Sequence, residues 1–303
     1  MTPQPRSRVL VTGACGLLGA HLLEAFGPHA HVVGVDRNLW WGDRPQDVRT
    51  GDLADRKFLK QMVDDTRPDV VIHCAALVDV DRCENDSAEA YAVNGGHTRA
   101  LAHAVPPGTL IVYVSTDSVF KGDRPFSTES DLPCPRTAYA RSKLHGEWEV
   151  QLATADHLIV RTNLYGWSSG RKTTSAEWLY AALSDGQAIT LFDDFFFTPI
   201  YVCDLVDRIR ALIVHGARGV FHLAGRDRVS KFEFGRLLAD AAGLSMAHAA
   251  RGSIDAAGLV ADRPKEMSIA SNRLSEVRMD PPGCADGLRR FVGDRSRRLS
   301  ERF

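Results

Sequence analysis

Short apolar runs alternate with amphipathic stretches through the first two thirds of the chain. The runs at 9–11, 32–35, 70–74, 110–114, 157–161 and 219–223 are too short for helices and favour Val, Ile and Leu, as strands buried on both faces of a parallel sheet do. Between them, 17–26, a stretch ending at Thr66, 87–104, 139–155 and 204–214 read as helices. Strand–helix alternation predicts an α/β fold, a doubly wound parallel sheet covered by helices on both faces. Residues 165–198 leave this pattern, with an apolar–aromatic run at 191–197, and from about 230 onward the chain reads as helical or irregular. The predicted division is a larger sheet domain, 1–164 plus about 199–226, and a smaller domain, about 165–198 plus 227–303.

The first strand runs into Gly13-Ala14-Cys15-Gly16-Leu17-Leu18-Gly19 and then a helix. Gly13 permits the tight turn, Gly16 lets backbone N–H groups approach a pyrophosphate, and Gly19 lets the helix pack closely on the strand. The helix N-terminus adds unpaired N–H donors and a positive dipole end. The spacing G-x-x-G-x-x-G differs from the commoner G-x-G-x-x-G, but the strand–turn–helix context is that of a dinucleotide-binding, Rossmann-type turn. The second strand ends in Asp36-Arg37 at the distance where an acidic residue accepts a hydrogen bond from the adenosine ribose. Asp36 favours NAD, because a carboxylate repels a 2′-phosphate, and Arg37 can accept one, so NAD and NADP both stay open. Asp52, followed by Leu53, is a helix N-cap, an adenine contact, or both, and Trp40 and Trp41 either stack on the adenine or shield their loop, 38–48. The run after Pro68 ends in Ala75-Ala76, small residues at a strand's carboxyl end, where doubly wound folds bind ligands. The larger domain is therefore the dinucleotide-binding one; a substrate-binding role for the smaller C-terminal domain is what the family resemblance described below implies.

Two further elements reach the same edge. The run 110–114 delivers Ser115-Thr116-Asp117, and Tyr139 and Lys143 open the next helix four residues apart, on one face at about 6 Å. A tyrosine has a pKa of about 10. An ammonium one turn away and the positive ring of an oxidised nicotinamide both favour the phenolate, so the pair can pass a proton to or from a substrate oxygen near neutral pH. Thr116 can donate a hydrogen bond to that oxygen, while the hydride is the nicotinamide's own chemistry. Gly95-Gly96 inside a helix implies close packing, and the Pro- and charge-rich loop 121–136 is expected to lie over the site.

Taken together, T-G-x-x-G-x-x-G at 12–19, Ser115-Thr116-Asp117 and Tyr139-x-x-x-Lys143 resemble the extended short-chain dehydrogenase/reductases. More narrowly, Cys74-Ala75-Ala76 with Val80-Asp81, the stretches 115–120 and 142–147, Thr198-Pro199-Ile200-Tyr201 and Arg263-Pro264 resemble the dTDP-4-dehydrorhamnose reductase branch over nearly the whole chain. The resemblance implies that Gly16, Leu17 and Leu18 hold the pyrophosphate, that Asp36 lies near the ribose and Asp52-Leu53 at the adenine, and that Ala75, Ala76 and Leu77 pass behind the ribose and nicotinamide. It implies Tyr139 as the acid–base residue and Lys143 as its partner and a ligand of the nicotinamide ribose. Thr116 and Asp117 would contact the sugar, and the C-terminal part would hold the nucleotide diphosphate of the substrate. The implied activity is NAD(P)H-dependent reduction of a nucleotide-linked 4-keto-sugar. Ser118 stands where the branch usually has tyrosine and Ala140 where it has glycine, and the segment 167–197, with Trp178, departs from rhamnose enzymes. Asp117 lacks the acidic neighbour of the related 4,6-dehydratases and stands where epimerase-reductases of the GDP-fucose type use cysteine, which speaks against both chemistries.

Composition narrows the alternatives. The 303 residues carry a formal net charge of -1, with 44% hydrophobic and 25% charged positions, so no global field favours nucleic acid or a membrane. The six cysteines are scattered without a C-x-x-C pair, which predicts neither a zinc site nor a disulfide framework, and no metal is expected. Residues 1–8 lack the apolar core of a leader and no apolar run spans a bilayer, so a cytoplasmic protein is predicted; a homodimer is one open oligomeric state, which the sequence does not fix. The arginines at 289, 290, 295, 297, 298 and 302 read as a solvated face. Two rival readings are a dinucleotide-binding regulatory subunit resembling the methionine adenosyltransferase β subunit of the same branch, and a nucleotide-sugar 4-epimerase, which would keep its cofactor and consume none.

Overall fold

The apolar runs become strands of one parallel sheet. The computed structural model describes residues 7–38, 47–168, 170 and 172–296. The strands are β1 (Arg8–Thr12), β2 (His31–Asp36), β3 (Asp47–Thr50), β4 (Val70–His73), β5 (Leu110–Thr116), β6 (His157–Thr162) and a last strand, Gly219–Leu223. They lie in the order last strand, β6, β5, β4, β1, β2, β3, and every neighbouring pair is parallel. Strand order reverses between β1 and β4, so their carboxyl ends open the crevice of a doubly wound, Rossmann-like fold. Strand β3 lies in what reads as the end of a loop: only Val48 of its four residues is buried, so the segment carries little apolar signal. Trp40 and Trp41 lie outside the described residues.

Alternation along the strands feeds cores on both faces. Leu10, Val33 and Val71 pack with Leu59, Met62 and Leu101 on one side. On the other, Val9 and Val11 join a cluster that runs through helix Leu17–Phe26 and helix Val202–Val214 as far as Trp167, Phe234 and Phe291. The apolar residues of the C-terminal part thus share this core. Strand Ile189–Phe192 pairs with Ala249–Gly252, and Phe196–Phe197 pairs with Val229–Ser230 and Glu266–Met267. The stretch after 230 therefore holds short strands as well as helices Lys231–Ala242 and Cys284–Gly293.

The expected helix 87–104 is broken into Ser87–Tyr91, a π turn Ala92–Gly96 and His97–Ala104. A Cβ on Gly95 would enter the His145 ring, and one on Gly146 would lie 2.5 Å from the Asn94 carbonyl oxygen. The two glycines let helix Ala138–Ala153 lie against this turn, which carries Asn94 into the interior. Of the tail arginines, Arg290 pairs with the buried Asp204 and Arg289 with Asp286; 297, 298 and 302 lie outside the described residues. Among the described residues no helix is long and apolar enough to cross a membrane, and no group of three or more His, Cys, Asp or Glu is placed to hold a metal.

Candidate active site

A cleft of about 890 Å³ opens at the carboxyl ends of the strands. Gly13 has φ +69°, and a Cβ there would lie 2.7 Å from the Ala75 nitrogen. A Cβ on Gly19 would overlap the Gly13 carbonyl oxygen. Both positions need glycine. Gly16 caps helix Leu17–Phe26 without any side-chain acceptor, which leaves first-turn N–H groups for an anion at the cleft wall formed by Gly16, Leu17 and Leu18. Asp36 is buried; its carboxylate accepts the Cys15 N–H at 3.1 Å, the Asn38 N–H at 3.1 Å and Asn38 Nδ2 at 3.2 Å. Arg37, exposed, lines the cleft beside it, as do Asp52 and Leu53.

One expectation on this wall is corrected. The N-cap of helix Arg56–Thr66 is Asp55, which accepts the N–H groups of Lys57 and Phe58; the Asp52 carboxylate accepts the Ala54 N–H, at 2.9 Å, and its carbonyl the Asp55 N–H. Ala75 and Ala76 line the cleft but Leu77 does not. Its N–H donates to Asn94 Oδ1 at 2.8 Å, its carbonyl accepts Asn94 Nδ2 at 3.0 Å, and its side chain packs with Cys83, Ala90 and Ala138. His73 pins this segment from below. The Thr98 hydroxyl donates to the Asn94 carbonyl, so Thr98 accepts from His73 Nε2, and Nδ1 is free to accept from Thr12 at 2.6 Å. Burial holds His73 neutral, its pKa lowered to about 3.

Thr116, Asp117, Tyr139 and Lys143 all line the cleft that the glycine turn also lines. Lys143 Nζ donates to the Val114 carbonyl at 2.7 Å and lies 4.1 Å from the centroid of the Tyr113 ring; burial lowers it to about 7. Burial pushes Tyr139 upward, with the Thr116 hydroxyl opposing. Burial dominates, so the phenol keeps its proton at neutral pH. Asp117 is raised by burial and is held by Asn163 Nδ2 at 2.6 Å, the Thr116 hydroxyl at 3.1 Å and the Ser118 hydroxyl at 3.2 Å. Its neighbour Ser115 donates to Glu147 at 2.5 Å, and Arg161 grips both oxygens of that carboxylate at 3.0 and 2.7 Å. This buried pair fixes the end of β5. Asn163, Glu147 and Arg161 were not singled out from sequence as site residues, because nothing local ties them to the edge.

A second cavity of about 190 Å³ shares Ser118, Tyr139 and Asn163 with the cleft and is closed by Phe192, Phe195, Lys231, Ile254, Arg263 and Met267, among others. Small Ser118 and, from the aromatic run 191–197, Phe192 and Phe195 all line it. The loop 121–136 lines neither cavity. It packs on the segment behind them instead: Ser127 exchanges backbone hydrogen bonds with Ser268 and Ala270, and a Cβ on Gly122 would overlap Pro264.

The cleft fits a dinucleotide on its own geometry. The glycine cradle leaves room only for backbone, and the buried Thr162 hydroxyl, in register with Thr116 at the cleft, has no partner among the described residues. Fold and site together define a dinucleotide-dependent α/β oxidoreductase. The chain belongs to the RmlD substrate binding domain family, which matches residues 7–295. It is similar to the dTDP-4-dehydrorhamnose reductase of Mycobacterium tuberculosis, 35% identical over 235 residues, 74% of this chain and 72% of that protein. It is also similar to methionine adenosyltransferase 2 subunit beta of Rattus norvegicus, 29% identical over 282 residues, 90% of this chain and 83% of that protein. Among solved structures, the dTDP-4-dehydrorhamnose reductase of Bacillus anthracis in complex with NADP superimposes with a TM-score of 0.86 at 30% identity, covering 95% of this chain and 99% of that one.

Proposed function

We infer that the chain is an NAD(P)H-dependent reductase of a nucleotide-linked 4-keto-sugar. The observation that carries this reading is the convergence of Thr116, Tyr139 and Lys143 on the cleft that the glycine cradle also lines. A reduced nicotinamide, when bound, supplies the hydride. Tyr139, protonated in its buried setting, gives its proton to the substrate oxygen, and Thr116 turns its hydroxyl from Asp117 to hold that oxygen. Lys143 holds the nicotinamide ribose and offsets the negative charge left on Tyr139. Gly13, Gly16, Leu17, Leu18 and Gly19 cradle the pyrophosphate. Asp36 and Arg37 set the adenosine end, Asp52-Leu53 the adenine, and Ala75-Ala76 the back of the nicotinamide side. Thr116 and Asp117 face the sugar.

The division into a dinucleotide-binding part, 1–164 plus about 199–226, and a substrate-binding part, about 165–198 plus 227–303, belongs to this proposal. The strand pairings that tie 189–197 to 229–267 support it. Homodimer formation is part of the same proposal. The likeness to the methionine adenosyltransferase β subunit, over 90% of this chain, keeps a regulatory reading as the alternative, and an epimerase would turn over without net cofactor use. The deciding experiment follows oxidation of NADH and of NADPH with a panel of nucleotide-4-keto-sugars made in situ by dehydratases. The expected result is stoichiometric oxidation with one member of the panel. Tight cofactor binding with no oxidation across the panel sinks the reductase reading.

A further inference from the structure

One cation at the substrate end of the site has no anion bound to it. Lys231 opens helix Lys231–Ala242, and its backbone N–H donates to the Phe195 carbonyl at 3.2 Å. Its Nζ lies 3.7 Å from the centroid of the Phe197 ring and 5.3 Å from that of Phe195, and it lines the small cavity with Tyr139 and Ser118. An ammonium has three N–H donors and no acceptor. Among the described residues, no hydrogen-bond acceptor or carboxylate lies within bonding distance of Nζ. The carboxylate that faces it, Asp117, is already held by Asn163, Thr116 and Ser118. The cavity's other cation, Arg263, is paired with Asp81 at 3.0 Å. Burial lowers Lys231 to about 8, with Asp117 opposing, as expected of an ammonium shielded by rings and lacking an oxygen ligand.

The cavity's volume, about 190 Å³, is on the order of six water molecules, the scale of one sugar ring and not of a whole nucleotide-sugar. A sugar hydroxyl is neutral and would leave the ammonium uncompensated; the negative part of a nucleotide-linked sugar is its diphosphate. We propose that Lys231 binds the phosphate attached to the sugar, with the sugar ring filling the cavity between Tyr139 and the Phe192–Phe195 wall. Lys231 is then a substrate-positioning residue, supplied by this chain's own helix start and aromatic run. The inference rests on the nucleotide-sugar reading above.

The test is calorimetric titration of the NADPH-saturated protein with dTDP, UDP and GDP, each against its nucleoside, for the natural chain, Lys231→Met and Lys231→Arg. The expected result is that Lys231→Met weakens the preferred diphosphate by about tenfold or more, Lys231→Arg recovers most of the loss, and NADPH affinity stays within about twofold. Equal diphosphate affinity in Lys231→Met and the natural chain overturns the proposal. So does a Lys231→Met variant that loses NADPH and thermal stability in step, which marks a structural pin between Phe197 and Asp117. If the natural chain binds none of the diphosphates, the proposal falls together with the nucleotide-sugar reading. If it binds one but reduces no keto-sugar, only the reductase reading falls, and the Lys231→Met comparison still decides the role of Lys231.

Discussion

The two sides of the site are built in opposite ways. The glycine side is backbone: residues 13–19 and 74–76 approach so closely that Gly13 and Gly19 tolerate no Cβ. The substrate side is side chains, with Phe192, Phe195, Lys231, Ile254, Arg263 and Met267 brought together from segments far apart in the chain. A wall of backbone is set by the sheet and can change little without unseating the ligand. A wall of side chains hung on short strands and helix starts can change one residue at a time. On the division proposed above, cofactor chemistry belongs to the fold, while the choice of sugar belongs to the excursion 165–198 and the C-terminal third. Tyr139 lies on both cavities and is where the two sides meet.

That meeting point gives the largest expected effect. Tyr139→Phe removes the proton donor and leaves the cradle intact, so kcat should fall about a thousandfold while NADPH affinity is kept. Steady-state rates beside a fluorescence titration of NADPH separate the two. A matching loss of affinity would mean that the division between the two sides is wrong.

Acid should strike both sides through their supports. His73 beneath Ala75 and His222, whose Nδ1 pairs with the Ala270 carbonyl, are each held near pKa 3 by burial against an ordinary 6.5. The unfolded chain binds these protons first, so the stabilisation is complete above pH 6.5 and is lost as pH falls toward 3. Each histidine contributes about 1.4 kcal/mol of loss per pH unit in that window. Thermal midpoints between pH 7 and 5 measure the slope, and a His73→Asn, His222→Asn chain should show a flatter one. An unchanged slope would assign acid lability to other groups.

A smaller change sharpens the contrast. Gly19→Val places a side chain against the Gly13 carbonyl oxygen, and NADPH affinity should drop about tenfold or more, while diphosphate binding on the other side moves little. An equal loss of both ligands would show that the two sides do not act separately.

The same contrast explains what could be read from the chain alone. The parallel, doubly wound sheet follows from β–α alternation, and the cofactor side is a run of adjacent residues whose spacing carries its meaning. Tyr139 and Lys143 are readable because a helix turn sets their distance. Asp55 displaced Asp52 as the cap because both lie within one turn of the helix start, and spacing alone does not separate them. Leu77, which the family resemblance puts behind the ribose and nicotinamide, has both its backbone groups taken by Asn94, which a π turn carries inward. The loop 121–136 has the composition of a lid, yet it is tied to residues 264–270, a contact that no local pattern encodes. Lys231 stands at an ordinary helix start, and only the fold brings it to Tyr139.

NADPH carrying deuterium at the transferable position of the nicotinamide, with the preferred nucleotide-4-keto-sugar as substrate, reports the hydride transfer itself. The expected result is one deuterium at C4 of the product sugar for each NADPH oxidised, abolished in Tyr139→Phe. Product free of deuterium, deuterium at another carbon, or turnover without net oxidation of NADPH would contradict a 4-keto-sugar reductase.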